Sequence, residues 1–326
     1  MSHRTQSILA APLLVCLLLA QSGCVRIAID ALPGDAELTE TPVLGDGGHR
    51  AEKIALVDVT GLIANERRPG LLVAGEHPVS LLVEQLEKAE HDRSVRAVLL
   101  RINSRGGGVA ASEMMYREVR GFRERTGKPV IALLMDVAAS GGYYVACGAD
   151  EIIAHPSTVT GSIGVIMQLV DVSDGLRRIG VLPHTLTSGP NKAAGSPFAP
   201  LEAPQRALLQ SMVDGFYADF VAVVRAARPE IPSEELPRLT DGRVFTGRQA
   251  LEAGLVDRVG DLRDAFARAV ERGGVSRARL VRYHRPAGYV GSAYAGAPAP
   301  PRTEINLVNL DVAGLLEPGF YYLWDP

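Results

Sequence analysis

Cysteine and lysine are scarce in this chain, and basic clusters and metal-ligand patterns are missing. Cys16 and Cys24 lie near the N-terminus and Cys147 stands alone on an apolar stretch, so we expect no disulfide framework and a packed rather than reactive Cys147. The net charge of −3 comes without runs of lysine or arginine, which argues against a nucleic-acid partner. The seven histidines show no metal-ligand spacing, so no metal or cofactor is predicted.

The N-terminus has the pattern of a secretion signal. Arg4 precedes an apolar stretch over residues 8–20, which is shorter than the roughly 20 residues that a bilayer span needs. Because small residues then lead into Cys24, residues 1–23 are similar to a bacterial lipoprotein signal whose cysteine becomes the acylated N-terminus. Ordinary signal cleavage nearby and an uncleaved anchor are the alternatives. Residues 24–50, rich in Pro, Gly, Asp and Glu, are predicted to be a membrane tether.

Apolar runs alternate with amphipathic segments through the middle of the chain. We predict helices over residues 80–90, 111–124, 204–228 and 261–272, and buried strands between them. This order predicts an α/β domain with much parallel sheet over residues 51–285. Residues 286–326 are predicted to be a Pro/Ala/Gly linker and an aromatic tail.

Ser140 lies between a predicted strand and a predicted helix, among side chains too small to cover it. The apolar run before it, residues 130–135, is typical of a buried strand, and a helix is predicted to begin at Gly141. A serine in this turn lies near the free N–H groups and the positive dipole end of the helix. Ser140 is therefore a candidate nucleophile. The alternative is an ordinary helix-capping serine.

Three glycines follow the preceding apolar run, at Gly106, Gly107 and Gly108. A glycine segment leaves backbone N–H groups unobstructed, so one N–H from this loop and one from Gly141 are candidates for an oxyanion hole. A flexible loop is the alternative. A phosphate cradle is less well supported, because no Gly-Lys-Ser/Thr follows and the dinucleotide spacing is missing.

A serine nucleophile needs a base, and Lys192 is the only lysine after Ser140. A neutral lysine can serve where apolar surroundings disfavour the ammonium form, and Ser162 is a candidate to orient its amine. The alternative is a solvated loop lysine. His155 and His184 are the rival bases for a histidine triad, since triad members meet in space rather than in sequence.

At these residues the chain resembles the signal peptide peptidase A family, whose members are serine proteases with a Ser-Lys dyad. The resemblance extends from about Lys53 to Ala269, and we expect it to make Ser140 the nucleophile. It likewise implies Lys192 as the general base, Ser162 as the hydroxyl that hydrogen-bonds the lysine, and Gly107 and Gly141 as the oxyanion donors. Five ordered motifs carry it: Arg101-Ile102-Asn103-Ser104 before the glycines, Ala139-Ser140-Gly141-Gly142-Tyr143-Tyr144, Gly161-Ser162-Ile163-Gly164-Val165, Ser188-Gly189 leading to Lys192, and Gly242-Arg243-Val244-Phe245-Thr246-Gly247 with Gly254-Leu255-Val256-Asp257.

Two positions depart from the family pattern. Arg105 stands where the family usually has proline, so the fixed φ that proline gives the glycine loop is missing. Pro190-Asn191 stand where the family more often has an aromatic residue before the lysine.

The resemblance implies a crotonase- or Clp-protease-like fold, a superhelix of repeated ββα units. It also implies a membrane-associated serine endopeptidase that cleaves released signal peptides or similar apolar peptides through an acyl-enzyme, in the bacterial cell envelope with its catalytic domain on the periplasmic side. A catalytically silent peptide-binding scaffold and an acyl-thioester enzyme are the alternatives. Related enzymes build rings, and the apolar face predicted for residues 204–228 together with the tail over 320–324 favours a homo-oligomeric ring. The alternatives are that this face covers its own sheet and that the tail returns to its own fold.

Overall fold

The computed structural model describes residues 38–45, 51–66, 77–284 and 319–324. The predicted signal peptide, Cys24, most of the predicted tether and the Pro/Ala/Gly linker lie outside the described residues. Statements about the fold below concern the described residues alone.

Eleven strands and eight helices form the described part of the chain. The strands are β1 (Thr39–Leu44), β2 (Glu52–Ile63), β3 (Val95–Gly108), β4 (Val130–Ala139), β5 (Glu151–Ala154), β6 (Val159–Gly161), β7 (Ile166–Met167), β8 (Val244–Thr246), β9 (Arg258–Val259), β10 (Ala278–His284) and β11 (Phe320–Leu323). The helices are α1 (Pro78–His91), α2 (Val109–Thr126), α3 (Gly141–Ala146), α4 (Ser173–Arg178), α5 (Ala203–Ala227), α6 (Leu236–Leu239), α7 (Gly247–Glu252) and α8 (Leu262–Arg272). The four predicted helices correspond to α1, α2, α5 and α8.

The central sheet has helices on both faces. Its strand order is β1-β10-β2-β3-β4-β5-β9, and neighbouring strands from β10 to β9 are parallel. Within β3, Val98, Leu100 and Ile102 join the larger core with α1 and α2, whereas Ala97 and Leu99 join the smaller core with α8. Because both faces are buried, these strands are nearly continuous apolar runs in the sequence.

The sheet divides around the end of β4. The first half of β4 pairs with β5, and its last three residues pair with β6, which in turn pairs antiparallel with β8. β3 and β4 separate after Ser104, and the glycines that end β3 pair with β11 instead. The predicted α/β class is confirmed, and this arrangement of strands and crossing helices is consistent with a Clp-protease-like fold.

Part of the segment predicted as a tether is folded. Strand β1 pairs antiparallel with β10 at the edge of the sheet. The Lys53 amine holds it there by donating to the Glu40 carboxylate at 2.7 Å and to Asp92 at 2.9 Å. An edge strand with an exposed side tolerates polar residues, so composition alone did not reveal β1.

Cys147 lies in the larger core, as its apolar surroundings predicted. It is 5% exposed, and burial raises the pKa of its thiol to about 12. Because the thiolate is the reactive form of cysteine, Cys147 is an inert packing residue near neutral pH.

Candidate active site

Ser140 occupies the turn between β4 and α3, as predicted. Its backbone has φ 52° and ψ −116°, a conformation that glycine adopts readily and that other residues rarely adopt. The Ser140 N–H donates to the Gly161 carbonyl oxygen at 2.8 Å, and the Ser140 carbonyl oxygen accepts from the Tyr144 N–H at 2.9 Å. Holding a serine in this conformation costs on the order of 1–3 kcal/mol, which the surrounding contacts must offset.

The Ser140 hydroxyl is buried without a partner. Only 1% of the residue is exposed, and its Oγ makes no hydrogen bond with any described residue. Ser140 precedes α3 as a capping residue does, but its side chain forms no capping hydrogen bond. Buried hydroxyls are normally hydrogen-bonded, so a strained and unpartnered serine indicates a functional rather than a stabilising role.

The glycine segment at the end of β3 meets the start of α3. Gly106 has φ 99°, and a methyl group on its Cα would lie 2.7 Å from the Gly141 nitrogen and 2.0 Å from the Tyr322 carbonyl oxygen. A methyl group on Gly107 would lie 1.9 Å from the Ile63 carbonyl oxygen. Glycine is therefore required at both positions, and the two backbone segments predicted to supply oxyanion donors lie against each other.

Ser162 lies close to Ser140 through a backbone contact. The Gly161 carbonyl oxygen that accepts the Ser140 N–H belongs to the residue just before Ser162. Ser162 also has a positive φ, 49°, and its N–H donates to the Arg243 carbonyl oxygen at 2.7 Å. Two serines with strained backbones are thus held on adjoining segments at the ends of β4 and β6.

None of the three candidate bases hydrogen-bonds to the Ser140 hydroxyl within one chain. Lys192 is exposed, in a turn closed by its N–H donating to the Gly189 carbonyl oxygen at 3.2 Å. His155 and His184 are exposed as well. Their exposure agrees with the lack of a hydrogen-bond partner for the Ser140 hydroxyl among the described residues. The role of Lys192 stays a prediction.

The segment that carries Lys192 exposes many apolar side chains. In the described part of the chain, ten of the fourteen exposed large hydrophobic residues lie here: Ile166, Val170, Val172, Ile179, Val181, Leu182, Leu186, Phe198, Leu208 and Met212. The apolar face predicted for α5 is divided, because Phe220 and Val224 are buried in the core whereas Leu208 and Met212 are exposed. By length and composition α5 is also apolar enough to cross a membrane.

The aromatic C-terminal tail returns to the candidate site. Strand β11 pairs antiparallel with the glycines of β3 on one side and with β7 on the other, and Tyr322 is opposite Gly107. The Trp324 N–H donates to the carbonyl oxygen of Arg105, the residue that stands where the family usually has proline, at 2.9 Å. The sequence left open whether the tail docks on its own fold or on a neighbour. Within one chain it docks on its own fold.

Comparisons with known proteins identify the family of this chain. A model of peptidase family S49 matches residues 123–276, a stretch that includes Ser140, Ser162 and Lys192. A putative signal peptide peptidase SppA of Enterococcus faecium is 32% identical over 263 residues, which cover 81% of this chain and 75% of that protein. The chain belongs to peptidase family S49.

Other relatives of this S49 chain are also named proteases. A putative protease of Synechocystis is 37% identical over 214 residues, or 66% of this chain and 72% of that protein. The chloroplastic serine protease SPPA of Arabidopsis thaliana is 32% identical over 247 residues, or 74% of this chain and 36% of that protein. Among solved structures, a mutant of the 1510-N membrane-bound stomatin-specific protease gives a TM-score of 0.43 at 16% identity, over 67% of this chain and 84% of that one. Family and relatives together make this chain a serine peptidase.

Proposed function

We propose that this S49 peptidase cleaves peptides with a Ser-Lys dyad. In this proposal Ser140 is the nucleophile, Lys192 is the general base, Ser162 orients the lysine, and Gly107 and Gly141 supply the oxyanion N–H groups. The observation that carries it is the Ser140 hydroxyl, which is unpartnered and held in a strained turn at the start of α3.

The proposed reaction proceeds through an acyl-enzyme. Neutral Lys192 takes the Ser140 proton as Oγ attacks the substrate carbonyl carbon, and the oxygen that becomes negative lies against backbone N–H groups at the end of β3 and the start of α3. The lysine then protonates the leaving amine, and water hydrolyses the ester. Preorganised donors of this kind each contribute about 3–4 kcal/mol to catalysis.

Assembly supplies the base in this proposal. Lys192 is exposed and Ser140 is buried without a partner, so one chain by itself does not form the dyad. The apolar residues between 166 and 212 are exposed in the single chain and are suited to contact a second copy. We therefore place Lys192 of one copy at Ser140 of its neighbour, within a homo-oligomeric ring whose sites face an enclosed space.

Extended apolar peptides, including released signal peptides, are the proposed substrates. A peptide can replace β11 as the strand beside the glycine segment of β3, where the Tyr322 carbonyl oxygen of β11 lies 3.1 Å from the position of a methyl group on Gly141. In this proposal the protein lies in the bacterial cell envelope with its catalytic domain on the periplasmic side, attached through an acylated Cys24 or the signal segment. Two acyl chains give stable attachment where one gives marginal binding.

Two other functions use the same backbone segments around Ser140 less well. An acyl-thioester enzyme needs the oxyanion-type backbone groups and a peptide-binding scaffold without catalysis needs none, but neither needs a serine in the Ser140 conformation. The backbone strain at Ser140 therefore favours the peptidase.

A fluorophosphonate probe tests the proposed nucleophile and the membrane attachment together. We expect the full chain, expressed in bacteria and separated into membrane and soluble fractions, to be labelled at Ser140 and recovered with the membranes. Peptide mapping identifies the labelled residue, and Ser140→Ala is the control. No labelling of an assembled and folded protein contradicts the nucleophile, and labelled protein in the soluble fraction contradicts the attachment.

The backbone of Tyr322 and Gly141 lies so close to Gly106 that a substitution there tests the oxyanion assignment. Gly106→Ala places a methyl group 2.0 Å from the Tyr322 carbonyl oxygen and 2.7 Å from the Gly141 nitrogen, so it displaces the oxyanion segment, and we expect at least a hundredfold loss of kcat/KM. Gly127→Ala is the matched control because Gly127 also has a positive φ, 65°, but nothing lies within 4 Å of the added methyl group. It is expected to cost about 1 kcal/mol in unfolding and to leave kcat/KM unchanged. Equal activities of the two variants would contradict the assignment.

A further inference from the structure

Ser104 lies where the two halves of the candidate site separate. It is the last residue of β3 that pairs with β4, opposite Ala138, and Ser140 follows Ala138 by two residues. Beyond Ser104, β3 leaves β4 and continues as the glycine segment, residues 106–108. Ser104 is 2% exposed, so its hydroxyl is enclosed by protein. A shift of this residue therefore moves the glycine segment relative to the strand that carries the proposed nucleophile.

The Ser104 hydroxyl joins the glycine segment to β2. Its oxygen accepts a hydrogen bond from the Gly106 N–H at 3.0 Å, and its proton is donated to the Gly61 carbonyl oxygen at 2.5 Å. Gly61 lies at the irregularity where the register between β2 and β3 shifts. A serine hydroxyl that bonds to backbone two residues later stabilises a turn. Because the hydroxyl both accepts and donates, Ser104 ties Gly106 to the neighbouring strand.

Gly106 has a backbone that needs such a constraint. Its φ is 99°, which glycine adopts readily, but glycine populates many other conformations as well. Arg105 precedes it where the family usually has proline, so no ring restricts the chain at that point. The hydrogen bond to Ser104 therefore restricts a backbone that its own sequence leaves free.

The backbone of Ser104 lies against the start of α3. A methyl group on Gly142 would lie 2.8 Å from the Ser104 carbonyl oxygen and 3.5 Å from the Ser104 Cβ. Gly141, which is proposed to supply the second oxyanion N–H, comes directly before Gly142. Ser104 thus binds one proposed oxyanion segment through its hydroxyl and packs on the other through its backbone.

A second buried serine binds the far end of the glycine segment. Ser112 in α2 is 0% exposed, and its hydroxyl donates to the Gly108 carbonyl oxygen at 3.0 Å. A methyl group on Gly141 would lie 2.4 Å from the Ser112 Oγ. Gly107, whose N–H is a proposed oxyanion donor, therefore lies between two glycines that are each hydrogen-bonded to a buried serine.

We propose that Ser104 is a positioning residue for the oxyanion hole, and that its hydroxyl fixes Gly106 and so sets the direction of the Gly107 N–H. Because donors that are already in place need no reorganisation as charge develops, this bond contributes to the rate rather than to substrate binding. The proposal rests on the proposed function, since Gly107 and Gly141 must supply the oxyanion N–H groups. It goes beyond that function by assigning a role to a side chain that makes no hydrogen bond with the Ser140 hydroxyl.

Ser104→Ala in the assembled full chain tests the proposal through kcat and KM. Alanine removes the acceptor of the Gly106 N–H, so we expect kcat for a fluorescent peptide to fall on the order of ten- to a hundredfold. KM is expected to change by less than about twofold, because the lost interaction acts in the transition state.

Ser80→Ala is the matched control for the loss of a buried hydroxyl. Ser80 is 3% exposed, and its hydroxyl donates to the Glu84 carboxylate at 3.0 Å within α1. Because this bond involves no proposed oxyanion segment, kcat and KM of Ser80→Ala are both expected to stay within about twofold of wild type.

A peptide aldehyde distinguishes a positioning role from a structural one. Ser140 Oγ adds to its carbonyl carbon, the serine proton passes to the base, and the carbonyl oxygen becomes the negative oxygen that faces the oxyanion N–H groups. In Ser104→Ala we expect inhibition by the aldehyde to weaken by about the factor lost in kcat. Inhibition by the matching peptide alcohol, which Ser140 cannot attack, is expected to change by less than about twofold. Circular dichroism shows whether the assayed variant is folded.

Two further variants at the same position report on the hydroxyl itself. Ser104→Thr keeps the hydroxyl and is expected to retain kcat within about threefold of wild type. If Ser104→Ala does not fold, Ser104→Cys takes its place, because sulfur fills the site but is a weak acceptor. We expect it to show the same selective loss of kcat.

The outcomes separate this inference from the proposed function. A folded Ser104→Ala, or Ser104→Cys in its place, that keeps the wild-type kcat overturns the inference, as does a Ser104→Thr variant as slow as Ser104→Ala. Equal weakening of aldehyde and alcohol inhibition assigns Ser104 a structural role and also overturns it. In these cases a wild-type enzyme labelled by fluorophosphonate at Ser140 still supports the proposed function. A wild-type enzyme that is not labelled and cleaves nothing contradicts the proposed function itself.

Discussion

Ser140→Gly is expected to abolish peptidase activity while making the protein more stable. Loss of the nucleophile lowers kcat by about 10⁴- to 10⁶-fold, as for serine peptidases whose catalytic groups act as one unit. Glycine relieves about 1–3 kcal/mol of strain at φ 52°, which exceeds the roughly 0.5–1 kcal/mol cost of its greater freedom in the unfolded chain. We therefore expect the free energy of unfolding to rise by about 1 kcal/mol.

Ser140→Ala is the matched control for the backbone. Alanine removes the hydroxyl but keeps the strain, so it is expected to be as inactive as Ser140→Gly and to be about 1 kcal/mol less stable than it. Urea unfolding followed by circular dichroism measures the difference, and hydrolysis of a fluorescent peptide measures the activity. If both variants are less stable than wild type and Ser140→Gly is no better than Ser140→Ala, the Ser140 turn is a structural feature and the strain argument fails.

The parts of the fold that local sequence determines could be predicted. The continuous apolar runs gave the parallel strands, and the turn at Ser140 followed from the small residues between a buried strand and a helix start. The nearness of Gly106–Gly107 to Gly141 was also accessible, because β3 and β4 are parallel neighbours and each loop follows the carboxyl end of its strand. The positions of the backbone groups around Ser140 could therefore be predicted from the sequence.

The remaining features depend on pairings between distant parts of the chain. Strand β11 lies on the glycines of β3, and nothing in residues 320–323 specifies that partner or its register beyond the run of aromatic residues. The packing partner of Tyr144 could not be predicted either, because its contact with Tyr322 exists only once the tail has docked. The tail was therefore predicted as a docking segment without a known partner, and the stacking of Tyr322 on Tyr144 was missed.

The exposure of Lys192 has a separate cause. A lysine base needs apolar surroundings, and the loop of Lys192 carries small and apolar residues, yet residues 191–201 are half-buried or exposed in the described chain. Burial of such a loop requires a surface that one chain does not provide. The unpartnered Ser140 hydroxyl and the exposed apolar residues between 166 and 212 are in keeping with the proposed ring, in which a second copy covers this loop.

Mixing two inactive variants is expected to restore activity. Lys192→Ala and Ser140→Ala should each lose about 10⁴-fold or more in kcat when assayed alone, because nucleophile and base act together. If the base comes from a neighbouring copy, a site in a mixed ring is active when an intact Ser140 meets an intact Lys192. Random assembly of equal amounts gives that combination at about one quarter of the sites, and hence about one quarter of the wild-type activity.

Two controls test whether the recovered activity comes from a site shared between neighbouring copies. Lys88→Ala replaces a half-buried lysine of α1, whose amine lies 5.8 Å from the centroid of the Tyr283 ring, and is expected to keep full activity, so a general loss of positive charge does not explain the effect of Lys192→Ala. Co-refolding Ser140→Ala with the double variant Ser140→Ala, Lys192→Ala is expected to give no activity, because no intact Ser140 is present. If the two single variants stay inactive after co-refolding, while light scattering shows that they assemble together, Lys192 acts within its own chain or is not the base, and the shared site is refuted.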